Sequence, residues 1–211
     1  MNKIVILLFF LSTFFTFSQD EESELWAKMS FKEKINKNLF FSLEPGSRYN
    51  FDNFFFTKQF SDLSIEAQIL KSKIGTISIE IGGRLTKIPN QRTLGKRQYF
   101  TTNYTKKINK INLSLRSRLF FEQNVVNYYK KYFRNKLTIQ YTQSKLIRPF
   151  LDGEYLSGLN SNNVDKMRFS IGNSFKISKK RTLKIFYRLQ NTIEDNVNKK
   201  RIFGIYISQK L

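Results

Sequence analysis

The chain contains no cysteine and no histidine. The first absence removes any disulfide framework, thiol redox centre or thiolate metal site. The second removes Ser-His-Asp and Cys-His nucleophilic sites and histidine-ligated metals. Lipases and deacylases that rely on a histidine base are excluded with them. Acidic residues are also few, 16 against 37 Lys and Arg, which leaves a formal charge of +21. Beyond the N-terminus no run of 18 apolar residues occurs, so the sequence holds no membrane-spanning helix. That does not exclude a membrane barrel, whose alternating strands carry a much weaker hydropathy signal.

The N-terminus reads MNKIVILLFFLSTFFTFSQD. Lys3 precedes an apolar run from Ile4 to Phe17, and Thr16-Phe17-Ser18 supplies the small residues of a cleavage site. This is the layout of a secretory signal peptide over residues 1–18. The run is too short for the roughly 20 residues of a spanning helix. No cysteine follows it, so no lipidated N-terminal cysteine is expected. Residues 19–211 then suit one domain.

Lys and Arg are scattered, and the two densest clusters, Lys179-Lys180-Arg181 and Lys199-Lys200-Arg201, fall where strand patterns break. For an exported chain such charge suits lipopolysaccharide phosphates and anionic headgroups. Export and the lack of any binding motif argue against nucleic acid.

Apolar residues recur at every second position through most of the chain, which is the side-chain period of a strand. In 76–85, Ile77, Ile79 and Ile81 oppose Ser78, Glu80, Gly82 and Arg84. In 111–121, Leu113, Leu115 and Leu119 oppose Ser114, Arg116, Arg118 and Phe120. Eleven candidate strands follow one another: 25–35, 39–49, 54–70, 76–85, 98–108, 111–121, 133–143, 147–156, 166–177, 182–190 and 201–211. Pro45-Gly46 predicts a bulge or an early end to pairing within the second. Short breaks take turns with longer ones, the rhythm of an up-and-down barrel with short periplasmic turns and longer outer loops. The expected fold is therefore all-β, an antiparallel transmembrane β-barrel. Even strand numbers are the rule for bacterial barrels, so ten strands are expected, with twelve as the alternative and 25–35 left over.

The polar faces carry Glu44, Arg48, Glu66, Glu80, Arg84, Arg116, Arg118, Arg148, Asp152, Glu154, Arg168 and Arg188. Mixed signs, with Arg prominent, suit confined ion pairs, because the guanidinium fork matches a carboxylate bidentately. These twelve are expected to face the lumen as a charged network. Gly82, Ser114, Ser170, Gly172 and Gly204 on the same faces would leave room for the long Arg side chains. Aromatic pairs near strand ends, such as Phe54-Phe55-Phe56 and Tyr128-Tyr129, suit interfacial girdles.

The segments SLEPGSRYN (42–50), LSLRSRLFFEQ (113–123), RPFLDGEYL (148–156) and MRFSIGNSFKISKKRTLKIFYRLQ (167–190) together resemble a domain-of-unknown-function family of outer-membrane β-barrel proteins from Gram-negative bacteria. The resemblance implies an outer-membrane barrel and brings no established activity.

Asp152 and Glu154 stand two apart on one strand face near Arg148. Such a pair would suit acid–base chemistry or Ca²⁺, against the plainer reading of an ion-paired lumen cluster. Gly82-Gly83 lacks P-loop spacing and a following helix. The expectation is a non-enzymatic outer-membrane barrel without cofactor or metal, serving structurally, in surface binding or as a narrow pore. Its partners would be membrane lipids, lipopolysaccharide and the barrel-insertion machinery. Two alternatives remain: a secreted soluble β-barrel or sandwich binding an apolar ligand, and a carboxylate-dependent membrane hydrolase.

Overall fold

The computed structural model describes residues 22–89, 91, 93–123, 129–144, 146–159, 164–193 and 198–211. Residues 1–18, expected to form a signal peptide, lie outside them, as does Tyr128. Eleven strands form one closed barrel: β1 (Glu22–Lys34), β2 (Leu39–Asn50), β3 (Phe55–Lys71), β4 (Thr76–Lys87), β5 (Gly95–Ile108), β6 (Ile111–Gln123), β7 (Tyr129–Tyr141), β8 (Ile147–Gly158), β9 (Val164–Lys176), β10 (Arg181–Thr192) and β11 (Asn198–Lys210). Each strand pairs antiparallel with its sequence neighbours.

The strand number is eleven, between the two even values, and the opening strand is part of the wall. β1 closes the barrel by parallel pairing with β11, from Glu22 opposite Lys200 to Lys32 opposite Lys210. An odd count requires one parallel seam, because the first and last strands then run the same way. The chain therefore enters β1 and leaves β11 at opposite rims. The tight connections around 35–38, 72–75, 109–110 and 177–180 share the rim where β11 ends.

Pro45 has the local effect that its missing N–H predicts. On the β3 side pairing runs through it, but the β1–β2 ladder skips from Lys28–Gly46 to Phe31–Leu43. The register shift in β2 lies further on, between Arg48 and Tyr49.

The register settles which residues share a face. Ser78, Asn103, Arg116, Lys136, Glu154, Arg168 and Gln190 are directly paired across seven consecutive strands and all point inward. Burial follows the same rule in inverted sense. Fourteen polar or charged side chains but only seven hydrophobic ones are buried among the described residues. Ile81 (64% exposed), Phe169 and Ile171 stand on the outer wall. A water-soluble barrel would do the reverse. The exposed Leu/Ile/Phe face is the outside of the cylinder.

Candidate functional site in the barrel lumen

The lumen contents begin with single residues that the strand register aims at one another. Arg84 on β4 grips its cross-strand partner Asp62 on β3 through two donors, Nε at 2.7 Å and Nη2 at 2.5 Å. Arg118 donates to Thr101 Oγ1 at 2.7 Å and reaches Glu80 at 3.3 Å. Glu154 receives Arg134 at 2.5 Å and Arg168 at 2.6 Å, with its side chain 2% exposed. Asp152 holds Lys136 at 2.7 Å and accepts from Thr138 at 2.6 Å. Glu44 pairs with Lys28 at 2.8 Å, and Glu66 takes Lys32 and Ser78. Arg116 donates to Asn103 at 3.0 Å, and Arg188 to Ser170 at 2.8 Å. Asp152 and Glu154 are thus each occupied by cations. Among the described residues no acidic group of three is placed to hold a metal ion.

Aromatic rings occupy the lumen beside these groups. Trp26, on β1, lies under three guanidiniums, with Arg48 3.9 Å, Arg188 5.3 Å and Arg168 5.4 Å from the ring centroid. Arg118 stands 3.8 Å over Tyr99, Arg84 4.1 Å over Phe60 and Arg97 4.4 Å over Phe120. Phe120 stacks on Tyr132 at 5.0 Å and packs with Tyr99 and Leu156. A guanidinium over a ring face loses little of its electrostatic partnership on leaving water, so the pairing suits a confined layer. Thr101 and Ile202 are fully buried in this layer, and the middle of the lumen is filled.

The glycines of the inward face serve the rings. A Cβ on Gly204 would stand 1.9 Å from the Phe186 ring, and one on Gly82 2.5 Å from Tyr99. The space expected for Arg side chains is taken there by aromatic rings. Gly172 is the tightest of them to repair, since an added Cβ meets the Ile185 carbonyl at 2.4 Å and Phe186 Cβ at 2.6 Å. Neither obstacle is the free end of a flexible side chain. Gly172→Ala should destabilise the barrel by about 1–3 kcal/mol through overpacking. Gly153→Ala, where a Cβ meets nothing within 4 Å, should be near neutral. Urea unfolding in lipid vesicles, followed by the fluorescence of the single tryptophan, checks both.

Beyond the filled layer, toward the tight turns, lies a polar cavity of about 300 Å³. Ser30, Lys32, Ser42, Glu44, Glu66 and Arg116 are among its walls.

Charge balance in the lumen is uneven. Arg48, Lys58, Arg116, Arg148, Lys184 and Arg188 occupy inward register positions but have no carboxylate within 4.0 Å among the described residues. Among the described residues the buried Nε atoms of Arg48 and Arg148 have no hydrogen-bond partner. Asp62, Arg97, Glu122, Arg134 and Lys136 belong to the same network but were not among the twelve expected residues. Their signal was present in the strict period of two: Arg97 falls in phase with Tyr99, and Arg134 and Lys136 with Tyr132.

Residues 23–201 match a family described as "Protein of unknown function (DUF2490)". The chain belongs to this family. No curated protein matches it. Among solved structures, the NanC porin is similar over 86% of this chain and 91% of its own, with a TM-score of 0.59 and 13% identity. The KdgM porin is similar over 77% and 81% respectively, with a TM-score of 0.50 and 16% identity. At these identities the likeness is one of fold: this DUF2490 member shares a closed β-barrel with both.

Proposed function

We propose that the protein is a non-enzymatic outer-membrane barrel, exported through a cleaved leader at 1–18 and placed by the barrel-insertion machinery. In this reading its lumen is a narrow, normally occluded path that favours anions. The carrying observation is the inverted burial, with apolar side chains outside and a cation-rich, ion-paired interior. Lipid is the solvent in which such a wall is stable, and a closed barrel leaves no unpaired strand edge in it. The shared fold with two porins supports a channel-like role. Arg48, Lys58, Arg116, Arg148, Lys184 and Arg188, inward cations without a carboxylate among the described residues, two of them with an unspent buried Nε donor, favour negative over positive ions.

Planar-bilayer recording tests this. The wild-type protein should pass little current, because rings and guanidiniums fill the middle of the lumen. Trp26→Ala combined with Tyr99→Ala should open resolvable steps, and the reversal potential in a KCl gradient should mark chloride as the more permeant ion. Large open steps in the wild type, or potassium preference in the opened variant, would contradict the reading.

A further inference from the structure

The outer wall of β1–β4 is not uniform. Across β2, β3 and β4 the large aliphatics Leu43, Leu63 and Ile65 with Ile81 present a filled surface toward the tight-turn rim. Toward the other rim the directly paired row Ala27, Ser47, Gln59 and Lys87 replaces them with small or polar side chains. Ser61, paired with Pro45 and Leu85, adds another small residue beside that row. The result is a depression of about 580 Å³, overhung by Leu94. It adjoins the place where Pro45 interrupts the β1–β2 ladder.

From this depression we infer a seat for one phosphorylated, multiply acylated glycolipid of the outer leaflet, with an acyl chain in the groove and a phosphate at Lys87 and Lys96. The inference rests on the reading of this wall as lipid-facing. Three observations select the occupant. First, the groove is concave. A second copy of the chain would bring an identical concavity to a two-fold contact and leave a void, because such contacts must be self-complementary. A flexible chain fills it. Second, the side chains of Ser47, Gln59 and Ser61 form no hydrogen bond with another described residue. Polar groups without partners are costly in hydrocarbon. The amide, ester and hydroxyl groups at the root of a glycolipid's chains would supply partners at that depth. Third, Lys87 and its near neighbour Lys96, which pairs with Leu85, are exposed at the rim above the groove. Neither lysine forms an ion pair with a carboxylate among the described residues. Two cations over an apolar groove fit a phosphate joined to acyl chains.

The test uses full-length mature protein, refolded in detergent, with native mass spectrometry as the readout and purified bisphosphorylated hexa-acyl lipid A as the probe. One lipid A per barrel should bind. Lys87→Ala with Lys96→Ala should weaken it about twenty-five-fold, taking about fivefold for each lysine at an anionic surface. Ser47→Leu with Ser61→Leu should fill the groove and abolish the adduct. Lys131→Ala, on the outer face of β7, should leave it unchanged. Equal binding of phosphatidylglycerol to the wild type and the lysine variant, a groove-filled variant that still binds lipid A, or a protein dimer in place of the adduct would overturn the seat. The membrane reading fails separately, if the protein folds and stays monodisperse without detergent. A variant that shows the heat-dependent gel shift of the wild type has folded, so its loss of lipid is attributable to the groove.

Discussion

Replacing Glu154 with alanine is expected to cost about 3–5 kcal/mol of barrel stability, the loss found when one partner of a buried ion pair is removed. Glu154 is bound by two guanidiniums, Arg134 and Arg168, and its side chain is 2% exposed. Without it, both cations remain in a lumen where Arg188 is also close, standing with Arg168 on the ring of Trp26. The interior already carries unbridged cations, so no spare carboxylate replaces it. Glu154→Gln should lose less, since an amide oxygen still accepts from one arginine. Glu154→Ala combined with Arg168→Ala should recover part of the loss, because the two residues are in contact and their effects are not additive. Urea unfolding in vesicles measures this, with Trp26 as reporter. Equal midpoints for wild type and Glu154→Ala would show that the carboxylate is dispensable.

The second large effect lies on the outer wall. Ile81 is 64% exposed and is flanked by Ile65 and Phe100 on the neighbouring strands. Ile81→Arg should cost about 2–4 kcal/mol if that position lies near the bilayer midplane. The sign separates two pictures. An arginine on the exposed surface of a soluble protein would be neutral within about 0.5 kcal/mol. In lipid it is a charge that must thin the bilayer or reach its edge. Ile81→Ala provides the control for lost apolar contact. Refolding yield and urea midpoint in vesicles give the comparison, and a midpoint unchanged by arginine would contradict a lipid-facing Ile81.

Much of the wall was legible in sequence because a period of two is a local property. Ser78, Glu80 and Arg84 against Ile77, Ile79 and Ile81 assign both faces of β4 without reference to any other strand. The twelve expected lumen residues all occupy inward positions in the register, and most meet a partner of opposite charge or a ring. Two features were not legible. The parallel seam depends on which strands meet at closure, a long-range choice with no local residue signature, and the habit of even counts pointed away from it. The aromatic filling was hidden for a different reason. Trp26, Phe60, Phe150 and Phe186 are apolar, and reading hydrophobic residues as lipid-facing places them outside. They face inward because an arginine or lysine stands over each ring and, for most, an inward glycine lies beside it. Gly46 under Phe60 and Gly204 under Phe186 are examples. That pairing is visible only once the strands are in register.

A spin-label scan of β4 tests the central claim most directly. The chain has no cysteine, so single cysteines at residues 77–84 can each carry one label without background. In vesicles, labels at 77, 79, 81 and 83 should collide with oxygen dissolved in the lipid, and those at 78, 80, 82 and 84 should not. A flat profile, or one with the even positions in contact with lipid, would contradict the inverted barrel.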